Sequence, residues 1–185
     1  MIYYSTPYRS DKNIGKYYND FMSLIPNDDD WVCFTDADTM FLTPFFGQLI
    51  EESTSQKKYD VLTCFTNRIG NPKQNVELLD FSIKNDDIQH HRAVAEMVQQ
   101  KYGSKIEDFD SWKSHAYGKA NMSGMLILLK KKVWNDCKFI DGNLGVENAF
   151  HEETRKNGYK VGIIKGLYIY HWYRGGNSTK TEHLK

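Results

Sequence analysis

The sequence carries no excess of either charge: Lys plus Arg number 24, and Asp plus Glu also number 24, in 185 residues. A phosphate backbone calls for a basic surface, so this balance argues against nucleic acid as the main partner. No apolar run approaches the roughly 20 residues of a membrane span, and no transmembrane segment is expected. Cysteine is scarce. Cys33, Cys64 and Cys137 are far apart and odd in number, which excludes a disulfide framework and predicts buried, reduced thiols in a cytoplasmic protein. Repeats and interdomain linkers are absent, and strand-like residues follow Met1 at once, so no signal peptide is expected. What is present is 40% apolar, 26% charged and 14% aromatic. That composition and length predict one globular domain with a substantial core over residues 1–185.

Hydrophobic periodicity divides the chain into alternating elements. Ile2 to Thr6 reads as a strand stopped by Pro7. Asn13 to Leu24 reads as a helix, with Ile14, Tyr17, Tyr18, Phe21 and Leu24 on one face and Asn13 as its N-cap. Trp31-Val-Cys-Phe-Thr is a continuous apolar run, the pattern of a strand buried on both faces. A helix is expected after Pro44, and another buried strand over Tyr59 to Phe65. Strand alternating with helix predicts an α/β domain with a parallel sheet between helices. Residues 66–85 read as a long polar loop, Asp87 to Tyr102 as a helix closed by Gly103, and Met122 to Leu129 as a strand. Val146 to Asn157 reads as a helix, Lys160 to Ile164 and Leu167 to His171 as two short strands, and residues 174–185 as a mobile tail.

The pattern Asp-x-Asp occurs three times, at Asp28/Asp30, Asp36/Asp38 and Asp108/Asp110. The first lies in a turn and the last in a polar connector, and both are expected to be solvated. Asp36 and Asp38 instead follow the buried run Trp31–Thr35, so they emerge at the C-terminal end of a central strand, where open α/β sheets bind ligands. Two carboxylates so placed repel each other unless a cation joins them. A hard divalent ion such as Mg²⁺ or Mn²⁺ takes carboxylate oxygens and also bridges phosphates. The plainer reading is a pair that caps the following turn. His90 and His91 are expected on a helix surface.

Phe34-Thr-Asp-Ala-Asp-Thr-Met-Phe-Leu resembles the DxD segment of glycosyltransferases with the GT-A fold, family-2-like small bacterial members in particular. Four further segments fall in the family's order. Thr6-Pro-Tyr-Arg is similar to the loop that meets the nucleotide. The segment from Ser123 to Trp134 is similar to the later strand-then-helix segment. Gly145-Val-Glu-Asn-Ala-Phe-His is similar to the acidic opening of a helix near the acceptor, and Ile169-Tyr-His-Trp-Tyr-Arg to a terminal strand with a metal-binding His.

The resemblance implies a Rossmann-like mixed sheet flanked by helices, with a nucleotide and metal half over 1–65 and an acceptor half over 66–173. It implies transfer of a sugar from a UDP- or GDP-sugar to a glycan or lipid-linked acceptor. Asp38 would contact Mn²⁺ or Mg²⁺ directly, Asp36 the ribose or the metal, and His171 would be a third metal ligand. Thr6, Tyr8, Arg9 and Arg174 would meet the nucleotide sugar, with Gly175 and Gly176 letting the tail close over it. The catalytic side would fall to Glu147 and His151, four apart on one helix. Many inverting members carry Glu-Asp there; this chain has Glu147-Asn148, and Asn is no base. Asn67, Arg68, His115, Tyr117 and Asn121 are weaker candidates for sugar or acceptor contacts. The alternatives are a non-catalytic nucleotide-sugar-binding domain on the same fold, a nucleotidyltransferase, and a phosphatase of the haloacid dehalogenase type.

Overall fold

The computed structural model describes residues 1–67, 71–76, 87–110 and 121–172. In chain order the elements are β1 (Ile2–Ser5), α1 (Ile14–Ser23), β2 (Trp31–Thr35), β3 (Thr39–Phe41), α2 (Phe46–Ser55) and β4 (Val61–Thr66). A 3₁₀ turn follows at Pro72–Gln74, then α3 (Ile88–Tyr102), β5 (Ile106–Asp108), β6 (Leu126–Lys130), α4 (Lys131–Asp136), α5 (Val146–Lys156) and β7 (Val161–His171).

The expected α/β class is correct, and the sheet is mixed, as the family resemblance implies, and not the parallel sheet that alternation of strand and helix predicts. Its order is β1-β2-β6-β4-β7-β3, with β5 paired to β7. β1 runs parallel to β2 and β4 parallel to β7, while β6 is antiparallel to both β2 and β4. β1, β2, β4 and β7 therefore share one direction, and their C-terminal ends meet at one edge. That edge collects Thr6, Asp36, Asn67 and His171. β3 returns antiparallel along β7 with Thr39 opposite His171.

The continuous apolar runs occur where both faces of the sheet are covered. On β2, Val32 and Phe34 enter one cluster while Trp31 and Cys33 enter the other. β6 divides in the same way, with Ile127 and Leu129 on the first face and Leu126 and Leu128 on the second. Tyr18 and Met22 of α1, Val94 and Val98 of α3, and Val146 and Phe150 of α5 complete the first cluster; Leu49 and Ile50 of α2 cover the second. Cys33, Cys64 and Cys137 are buried free thiols, as expected.

Several local expectations need correction. The strand expected from Met122 begins only at Leu126, because residues 121–125 form an irregular strap. The two strands expected over 160–171 are one, β7, interrupted by a register shift in its pairing with β4. The described part of the expected polar loop is interior: Lys73 and Gln74 are buried, and Asn75 bridges to Thr66. Asp30 is buried, accepting from the Met1 amino group at 2.6 Å. Asp108 ends β5, and Asp110 is ion-paired with Arg155. His91 is fully buried, its Nδ1 2.8 Å from the Tyr168 hydroxyl. Asn13 caps α1 by accepting from Lys16 N–H at 2.9 Å. No helix among the described residues is long and apolar enough to cross a membrane.

Candidate metal centre

β2 delivers Asp36 and Asp38 to the sheet edge, and β7 ends there with His171. The pairing of β3 with β7 brings them together, since β3 begins at the residue after Asp38 and its first residue faces His171. One ligand atom from each of Asp36, Asp38 and His171 lies within 4.8 Å of the others. His171 Nε2 is 3.2 Å from Asp38 Oδ1. A backbone bond from Trp172 N–H to the Asp38 carbonyl at 2.8 Å fastens the two segments side by side.

Turn capping does not account for the carboxylates. Thr39 bonds Asp36 through both its N–H and its hydroxyl, but the acceptor is the Asp36 carbonyl, at 3.2 and 2.7 Å. The Asp36 side chain is left facing other charges. Burial pushes its carboxyl up to about 7; His171 opposes that shift, and Asp38 and Glu147 add to it. Two carboxylates and an imidazole converging at a partly buried edge form a donor set that suits a hard or borderline divalent cation.

Glu147, in the first turn of α5, is the third carboxylate of this neighbourhood. Burial raises its pKa too. Its side chain lies over Gly124 of the strap: a Cβ there would sit 2.6 Å from Glu147 Oε1. Met125, next along the strap, accepts the Asp36 N–H at 3.2 Å. The Tyr18 hydroxyl is fully buried, and burial raises its pKa well above the ordinary value, with the charges of Asp36 and Glu147 adding to the shift. Gly124, Met125 and Tyr18 are site neighbours that sequence patterning read only as strand or helix interior.

Other expected site residues are placed differently. His151 does not join Glu147 at the edge. It is fully buried, with Nδ1 accepting from Met122 N–H at 2.7 Å and Nε2 facing Asp110 at 3.8 Å. Among the described residues the ring is fully enclosed, with Nδ1 engaged by the Met122 N–H. Arg9 is paired with neighbouring acids. Its guanidinium bonds Asp11 at 2.7 and 2.8 Å and Asp20 at 3.2 Å, and the hydrogen bond to Asp11 raises its pKa further. Tyr8 is exposed, and the exposed Thr6 has its hydroxyl 3.4 Å from that of Thr35. Asn148 is exposed. Arg68, His115, Tyr117, Arg174, Gly175, Gly176 and the expected tail lie outside the described residues.

Asn67 has a role other than contacting sugar. It is buried at the end of β4, accepts from His171 N–H at 2.8 Å and donates to the His171 carbonyl at 3.3 Å. The amide thus extends the β4–β7 ladder by one rung and fixes the backbone of the histidine. Asn67→Ala leaves both buried backbone groups without these partners, and the expected loss is about 2–3 kcal/mol of unfolding free energy, read by urea denaturation. A loss under about 0.5 kcal/mol would show that the rung contributes little.

No protein-family model matches the sequence, and no curated protein matches it. Among solved structures, a mycobacterial protein aligns with a TM-score of 0.47 at 14% identity, over 91% of this chain and 46% of its own length. The chain thus spans about half the length of that neighbour.

Proposed function

We propose that this chain is a metal-dependent glycosyltransferase domain of the GT-A type, taking its sugar from a nucleotide diphosphate donor. The observation that carries the reading is the meeting of Asp36 and Asp38, from the C-terminal end of β2, with His171, from the end of β7, within 4.8 Å. Asp38 and His171 would hold Mn²⁺ or Mg²⁺, with Asp36 beside them. When bound, such an ion would neutralise charge growing on the diphosphate as the bond from its oxygen to the sugar's anomeric carbon breaks and the acceptor's oxygen takes its place. Glu147 is the group suited to receive the acceptor's proton. Its raised pKa makes it a stronger base than an exposed glutamate, and Gly124 leaves space for its carboxylate. Asn148 cannot take that part. Exposed Tyr8, after β1, offers a ring face to a nucleobase.

The test is thermal unfolding with UDP, GDP and their sugars, with and without Mn²⁺. Nucleotide and Mn²⁺ together at about a hundredfold over Kd should add about 2.7 kcal/mol, or roughly 5–10 °C for a chain of this size. Asp38→Ala should remove the metal-dependent part of that shift. An equal shift in the variant, or none in the parent protein with any nucleotide, would overturn the reading.

A further inference from the structure

The strap of residues 121–125 is the physical link between the interior and the two carboxylates, since Gly124 packs on Glu147 and the Met125 carbonyl receives the Asp36 N–H. Side chains from three directions hold it. Asn71 donates to the Asn121 carbonyl, Gln74 accepts from Ser123 N–H at 2.7 Å, and His151 accepts from Met122 N–H at 2.7 Å. Gln74 is itself fixed, donating to the Thr63 hydroxyl at 2.8 Å. Of these three clamps only His151 titrates. An imidazole nitrogen accepts a hydrogen bond only while it carries no proton, so the bond assigns the neutral ring with its proton on Nε2.

We propose that His151 is a positioning residue for Asp36 and Glu147: as a neutral imidazole it clamps Met122, and its protonation releases the strap that sets both carboxylates. The mechanical step follows from charge and geometry. A proton on Nδ1 would place two N–H groups head to head across 2.7 Å in a fully buried setting. The charged groups around the ring are Asp110 beyond β5, Arg155 on its own helix and Lys73 of the 3₁₀ turn; the edge of the Phe109 ring packs on it as well. Burial holds the ring's pKa below its ordinary value; Asp110 opposes this, and Arg155 and Lys73 reinforce it. The clamp is therefore closed at neutral pH and opens as pH falls below the ordinary histidine range. That an open strap lowers transfer activity rests on the glycosyltransferase reading, whereas the clamp itself does not.

The experiment uses the whole chain and no substrate: amide exchange and long-range ¹H–¹⁵N ring correlations at about pH 7.5 and about pH 5.5. The ring should show the Nε2–H tautomer at the higher pH. The protection factors of Met122 and Ser123 should fall about tenfold at the lower pH, while that of Leu128 in β6 stays unchanged. His151→Asn keeps an acceptor near the Nδ1 position without titrating. Its Met122 protection should be retained and lose its pH dependence, and the carboxyl pKa of Glu147, followed by ¹³C NMR, should stay raised. In His151→Ala that pKa should fall toward the value of an exposed glutamate. An Nδ1–H tautomer, or pH-invariant Met122 protection in the parent protein, would overturn the proposal; both readings survive a variant that fails to fold. If nucleotide and Mn²⁺ give no thermal shift but the exchange results hold, the transferase reading fails and the clamp stands.

Discussion

Asp36→Asn is expected to stabilise the protein in chelating buffer while removing its response to divalent metal. The carboxyl of Asp36 is raised from 3.8 to about 7, chiefly by burial and further by Asp38 and Glu147, with His171 opposing. Between those values the native protein keeps a proton that the unfolded chain has released. Folding stability therefore falls as pH climbs through that window, and the ionised side chain is a net cost above it. At about 1.4 kcal/mol per unit the full cost would be near 4 kcal/mol, and residual solvent contact reduces it to about 2. The amide carries no charge and nearly the same shape. Near pH 8 with EDTA the variant should unfold about 2 kcal/mol harder in urea, and near pH 4 the difference should vanish. Adding Mn²⁺ should close the gap from the other side, by stabilising the parent protein alone. A variant less stable than the parent near pH 8 would mean that the carboxylate supports local structure, and the metal reading would lose its main physical motive.

Much of this neighbourhood was legible in the sequence because it sits where strong patterns stop. The run Trp31–Phe34 is apolar and buried at every position since β2 is covered on both faces, and its end locates Asp36 and Asp38 without further information. His171 closes an apolar run in the same manner. Strand direction was not legible. β6 is as apolar as β2, and periodicity carries no sign, so an antiparallel central strand reads like a parallel one. β3 has three residues, too few for any period, yet its pairing with β7 is what carries His171 to Asp38. Lys165-Gly166 broke β7 into two apparent strands because the irregular pairing there admits a charge and a residue without a side chain.

The placements of His151 and Asn67 share one cause: each depends on partners distant in sequence. His151 looked like a neighbour of Glu147 because four residues make one turn. The turn instead tips His151 under the strap, to Met122 and Asp110. Asn67 looked like a loop-end sugar contact, but its partner lies 104 residues on. Arg9 differs, since Asp11 is two residues away and Asp20 is on the next helix; a close count of local acids would have found its ion pairs.

Gly166→Ala is expected to be strongly destabilising although it lies away from the site, and to reach the site as well. Cys64 pairs with Ile164 and Phe65 with Tyr168, so residues 165–167 of β7 bulge out of the β4 ladder. There Gly166 lies against Gly103, which ends α3 at φ 51°, in the left-handed region. A Cβ on Gly166 would overlap the Gly103 carbonyl oxygen and lie 2.8 and 2.9 Å from its carbon and nitrogen. These are backbone atoms with no rotamer to change. Lys165 N–H also bonds the Lys105 carbonyl at 2.8 Å, so the turn cannot drift away from the strand. The strain must go into α3 or into β7 itself, at a cost of about 3 kcal/mol or more. The second half of β7 ends on His171, so a shifted bulge moves the histidine relative to Asp38. The variant should lose roughly 6–12 °C of Tm, and the fraction that folds should bind Mn²⁺ more weakly. Gly47→Ala, in α2 with nothing within 4 Å of the added carbon, is the matched control and should gain up to about 1 kcal/mol from helix propensity. If the two alanine variants unfolded alike, close backbone contact at Gly166 would not be what sets the course of β7 toward the Asp36–Asp38–His171 cluster.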